Sequence, residues 1–144
     1  MVDATLVTAK LADRVSRIRL HAKASAAELE ADRDALELVS FNLMLAVQAC
    51  TDVASHVIAD EAWPPAASLA DAFARLGDRG VISPSTRAAL TRAVGLRNIV
   101  APGYSGIDPT LVHAAATDGV RDLDAFAKEL ACWLESRGSA RPVE

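Results

Sequence analysis

The stretch LRNIVAPGY, residues 96–104, gathers side chains suited to handling a phosphate. Arg97 offers a planar fork of donors that matches phosphate oxygens. Asn98 beside it can donate to a phosphate or fix a neighbour. Tyr104 presents a phenol hydroxyl a short way on, and Pro102 stands between them. Chemistry at a phosphate ester without a metal requires moving a proton and steadying extra negative charge on the phosphate. Imidazole suits the proton transfers because its pKa lies near working pH. Arginine suits the charge but cannot serve as the base, since guanidinium effectively never loses its proton. Proline does neither. A proline inside a helical motif also clashes with the carbonyl four residues back, here that of Asn98.

The charge pattern centres on the same place. No acidic residue occurs from Arg79 to Ile107, whereas Arg79, Arg87, Arg92 and Arg97 all fall there. That stretch carries +4, so the remainder of a chain whose net charge is −4 carries −8. The overall balance argues against a general nucleic-acid binder, and the local balance marks one basic segment.

A chain of 144 residues holds one domain with a real core. It is 51% apolar but only 4% aromatic, and alanine and leucine dominate, which favours helices over strands. The apolar runs are shorter than a membrane span, and charges interrupt residues 1–20, so a cytoplasmic protein without a leader is expected. Cys50 and Cys132 lie on apolar helical stripes and read as buried, reduced thiols. No cysteine–histidine cluster has metal-ligand spacing, so neither a metal nor another cofactor is expected.

These residues must be positioned by helices. Val7, Leu11, Val15 and Ile18 mark a first amphipathic helix from Leu6 to about Ala24, with Arg14, Arg17 and Arg19 on its other surface. Leu36, Val39, Leu43, Ala46, Cys50, Val53 and Val57 alternate steps of three and four, the pattern of a bundle seam. Phe41, Met44 and Leu45 lie off that seam. A helix apolar on two sides is central to its bundle or packed on another subunit. Trp63-Pro64-Pro65 ends it. Ser68 caps a short helix with Leu69, Phe73 and Leu76 inward, stopped by GDRG. Ser83-Pro84 opens the helix that runs into the motif, and Pro102-Gly103 closes it. Asp108-Pro109 opens a last helix using Leu111, Ala115, Val120, Leu123, Phe126, Leu130 and Trp133, with Gly119 its weak point. The expectation is one all-α domain over 1–136, an antiparallel bundle of four main helices plus a short one. A flexible tail is expected over 137–144.

With those segments in view, DRDALELVSFNLMLAVQACTDVASHVIADE and AVGLRNIVAPGYSGIDPTLVHAA resemble the HepT-type toxins of the HEPN superfamily. The resemblance runs from about Arg33 to Leu134. It implies a HEPN-like helical bundle and a metal-independent endoribonuclease, the toxin of a type VII toxin–antitoxin system. It also implies an MntA-type nucleotidyltransferase antitoxin as partner, RNA as substrate and a homodimer whose two motifs share a basic cleft. The family's signature is an arginine, usually followed by asparagine, then a histidine after a short spacer and a tyrosine two residues further on. Arg97, Asn98 and Tyr104 match it. Tyr104 stands where the family's tyrosine receives adenylate from the antitoxin. Pro102 stands where the histidine belongs, so the departure falls on the catalytic position.

Each residue also has an ordinary reading. Arg97 on an alanine-rich helix suits a solvated or ion-paired side chain, and Tyr104 after a Pro-Gly break suits ring packing. Arg14 and His21 match an Arg-x6-His spacing by coincidence in an arginine-rich helix. His56 and His113 read as structural. Three accounts therefore stay open: a nuclease deprived of its base, a non-catalytic HEPN module that binds nucleotide or RNA, and a purely structural subunit. A single base change converts a histidine codon to a proline codon, which fits natural decay and equally a change selected because active toxin harms its host.

Overall fold

The computed structural model describes residues 4–99 and 108–140. Every regular element among them is helical. The four main helices expected from the sequence are α1 (Ala4–His21), α3 (Arg33–Asp60), α5 (Pro84–Ile99) and α7 (Val120–Ala140). The short one is α4 (Leu69–Asp78), and two further short helices, α2 (Ala26–Ala31) and α6 (Pro109–Ala114), complete the set.

The seam of α3 organises the fold. All seven of its stripe residues are buried, and Val47, Ala54 and Ile58 are buried beside them. The helix packs on α1, α4, α5 and α7. Its polar interior residues are satisfied locally: Ser40 donates to the Leu36 carbonyl, Asn42 to that of Leu38 and Thr51 to that of Gln48. Arg14 of α1 donates to Asn42 Oδ1 at 3.2 Å. By length and composition alone α3 would also span a bilayer, with a mean hydropathy of 1.3. This qualifies the expectation drawn from apolar run length. Its burial among neighbouring helices accounts for the composition.

The first helix ends sooner than expected, at His21, where the Ala22 amide donates to Ile18 and closes the last turn. Leu11, Val15 and Ile18 are buried as the periodicity requires; the Val7 side chain lies outside the described residues. The sequence reading overlooked α2, which is too short for periodicity to reveal. Its signal was a cap: Ser25 Oγ accepts from the Glu28 amide, and Glu28 reaches back to the Ala24 amide. Beyond α3, Ala62 takes a left-handed φ of 57° before the Trp-Pro-Pro corner. Gly80 does the same after α4, with φ of 73°, a conformation glycine adopts without penalty.

The last helix is not continuous. Between α6 and α7 lies a π-helical turn, Ala115–Gly119. Thr117 Oγ1 donates to the His113 and Ala114 carbonyls, competing with the backbone ladder just where it widens. Leu123, Phe126 and Leu130 are fully inward, and Phe126 meets Phe73 edge-on with centroids 5.9 Å apart.

α7 runs as a helix to Ala140, into the stretch expected as a tail. Arg137 explains this. It ion-pairs with Glu61 and lies over the Trp133 ring, 5.1 Å from its centroid. Residues 141–144 lie outside the described ones.

Candidate functional site

The helix that leads into the motif is held firmly at its start. Ser83 Oγ accepts from the Thr86 amide at 3.2 Å, the cap that Ser-Pro predicted. Glu129 of α7 then grips both residues, accepting from the Ser83 amide and from the Thr86 hydroxyl, each at 2.5 Å. Partial burial opposes the charge on Glu129, but the hydrogen bonds from Thr86 and Ser83 outweigh it and hold the carboxyl below its ordinary value of 4.5. Thr86, Ala89 and Leu90 are buried in these first turns.

Towards its other end α5 comes to the surface. Thr91, Arg92 and Gly95 are exposed, and Ala93 and Val94 are half-buried. Arg97 and Asn98 fall in the last turn, where only the backbone is described. A cation there is favoured by the partial negative charge of a helix C-terminus. Pro102 and Tyr104 lie outside the described residues, and the chain resumes at Asp108. Asp108 caps α6, its carboxylate accepting from the Thr110 and Leu111 amides. The motif therefore joins the end of one helix to the capped start of the next.

Beside the outer half of α5 opens an apolar cavity of about 360 Å³, lined by Leu43, Val47, Leu90, Ala93, Leu111 and Leu123. Such walls suit packing. Its charged lining residues are Arg92 and Asp122.

The basic run divides once its neighbours are known. Arg79 lies over the Trp63 ring at 4.9 Å, and Arg87 pairs with Asp78 at 3.3 Å. Both hold the α3–α4–α5 corner together. Arg92 is exposed near the motif end. The coincidental Arg14–His21 spacing has an ordinary outcome at Arg14, which bonds Asn42. His113 reaches the Lys23 carbonyl through Nε2 at 2.8 Å, a structural contact, whereas His56 is exposed. Cys50 is buried, which pushes its thiol well above the usual range. Cys132 is exposed, contrary to the expectation of two buried thiols; its stripe faces outward on α7. Among the described residues no group of three histidine, cysteine or acidic side chains could hold a metal.

A helical bundle with a motif-bearing junction between α5 and α6 defines a class, and comparison with known proteins says which. The family described as Ribonuclease HepT-like matches residues 11–130, so the chain belongs to it. Among solved structures, the fold is similar to that of a tri-AMPylated Shewanella oneidensis HEPN toxin in complex with an MNT antitoxin. That match has a TM-score of 0.82 at 22% identity and covers 92% of this chain and 99% of the other. A toxin–antitoxin complex with AMP-PNP matches with a TM-score of 0.81 at 23% identity, over 91% of this chain and 98% of that one. A mutant MntA–HpeT toxin–antitoxin gives 0.80 at 21% identity, over 90% and 97%. At such identities the likeness establishes an all-α HEPN fold. No curated protein matches the chain.

Proposed function

We propose that this protein is the toxin half of a toxin–antitoxin pair, a HEPN ribonuclease neutralised when an MntA-type nucleotidyltransferase transfers adenylate to Tyr104. The observation that carries this reading is the family match over residues 11–130, which spans the Arg97-Asn98 and Tyr104 motif. The solved toxins of the same fold are complexed with MNT or MntA antitoxins, and one is AMPylated, which supports the partner and the modification. Arg97 is assigned to the phosphate, Asn98 to donation beside it, and Pro102 to the place of the absent base. The chain as it stands is therefore proposed to bind RNA and cleave it poorly. No metal or other cofactor is assigned to the reaction, and the protein is proposed to act in the cytoplasm.

Pro102 favours a second reading, a HEPN module that binds nucleotide or RNA without cutting it. Replacement of Pro102 by histidine separates the two. A toxin deprived of its base recovers RNA cleavage and arrests growth without antitoxin; a binding module gains neither. Incubating the protein with ATP and an MntA-type nucleotidyltransferase, then locating added mass on peptides, tests the pairing. Adenylate found elsewhere than Tyr104 counts against it.

A homodimer belongs to the same proposal. Phe41 and Leu38 of α3 are 53% and 38% exposed, with Leu45 half-buried between turns of that face. Apolar side chains grouped on a central helix suit a second copy. Light scattering at micromolar concentration should give a dimer, and Phe41→Asp a monomer.

A further inference from the structure

We infer that the apolar cavity beside the outer half of α5 is a nucleotide subsite, selective for a base with an exocyclic amino group. That it serves one nucleotide of an RNA rests on the proposed ribonuclease reading. At about 360 Å³ the cavity lies within the range of roughly 300–1,000 Å³ typical of small-molecule sites. Leu43, Val47, Leu90 and Leu123 give it apolar walls, which suit the flat faces of a base. Two charges of opposite sign share the lining, Arg92 from α5 and Asp122 from α7.

Both charges are free for a ligand. Arg79 and Arg87, earlier in the basic run, are occupied by Trp63 and Asp78. Arg92 is exposed, and among the described residues it has no hydrogen bond or ion pair. Asp122 is half-buried in the first turn of α7 and is likewise without a partner among the described residues. The two line one cavity but do not pair with each other. A carboxylate drawn partly out of water gains from any donor that reaches it. The complementary ligand therefore carries an anion at one end, an N–H donor at the other and an apolar plate between them. A nucleotide has that form: its phosphate matches the fork of Arg92, and an exocyclic amino group donates to Asp122. Cytosine supplies this donor, whereas uracil, of nearly the same shape, presents a carbonyl oxygen there and is repelled. The course of α5 agrees with this placement. Ala89 and Ala93 line the cavity, and position 97 follows at the same interval of four. The helical backbone thus sets the motif position on the cavity's side, about 6 Å further along the axis.

Titration of the full chain with cytidine 5′-monophosphate (CMP), uridine 5′-monophosphate (UMP) and cytidine, followed by methyl NMR of Leu43, Val47 and Leu123, tests the assignment. CMP should shift these signals with an affinity about tenfold above that of UMP. Asp122→Asn should erase that preference. Arg92→Ala should weaken CMP by about tenfold while leaving cytidine unchanged. Ala114 is exposed at the cavity's edge, so Ala114→Leu narrows the cavity without crowding the core and should weaken all three ligands. Equal affinity for CMP and UMP, or full CMP binding in Ala114→Leu, overturns the subsite. Anisotropy of labelled oligocytidylate and oligouridylate separates this inference from the reading beneath it. RNA bound without preference, and without response to Asp122→Asn, overturns the subsite and leaves the ribonuclease reading standing. If neither RNA binds while CMP still shifts the methyls selectively, the RNA reading falls and the nucleotide subsite is upheld.

Discussion

The two ends of α5 make different use of one helix. At its start, Ser83, Thr86 and Glu129 form a closed set of short hydrogen bonds above buried Ala89 and Leu90. Toward its finish, exposed Arg92 and Gly95 lead to the turn that carries Arg97 and Asn98. The first arrangement leaves little freedom, whereas the second leaves surface available to a large partner. Anchoring one end leaves the outer turns of the helix, at Thr91 and Arg92, on the surface. The cost of each residue should follow that division, with activity lost at one end and stability at the other.

The largest effect belongs to chemistry. Pro102→His should raise RNA cleavage by about 10²–10⁴, measured on a labelled RNA without metal. An unaltered rate would deny that the exposed end is a disabled catalytic site. Next comes the core beneath the anchored end. Phe126→Ala should remove about 3–5 kcal/mol of stability in urea unfolding, because it leaves a cavity beside Phe73. Arg92→Ala, on the exposed part of α5, should stay within about 0.5 kcal/mol.

Glu129 gives the comparison a pH axis. Its folded-state pKa is depressed, so the stability it contributes is present above its unfolded value near 4.5 and is lost as pH falls through the lower folded value. Glu129→Gln should destabilise by about 1–3 kcal/mol at neutral pH and flatten that acid-side loss. A variant retaining the full acid slope would show the anchor to be elsewhere. One effect has the opposite sign. Ala62 holds a left-handed φ of 57°, so Ala62→Gly should stabilise by about 1 kcal/mol in the same unfolding assay.

Much of this was readable in the residues. The α3 seam is buried throughout because a long periodic stripe has few alternatives to a bundle core. Ser68, Ser83 and Asp108 cap as their types predict. Short elements were harder. Periodicity is silent over six residues, so α2 escaped notice, and the π-helical turn depends on a threonine hydroxyl competing for carbonyls. The run of α7 past residue 136 was not legible because SRGSA is a poor helix former; Arg137 contacts Glu61, far off in sequence, and Trp133 one turn back. The contacts that fix the start of α5 and the short α6, Glu129 to Ser83 and His113 to Lys23, come from distant segments and leave no local signature.

The two tryptophans meet near the anchored end, Trp63 against Trp133 with centroids 6.0 Å apart. The one tyrosine of the chain is Tyr104. The 16 residues of α5 make a helix about 24 Å long. Nature has thus labelled the molecule with two separate optical reporters. Indole emission follows the parting of α7 from the α3–α4 corner, and phenol absorbance follows events at the motif, so one unmodified sample can report on both.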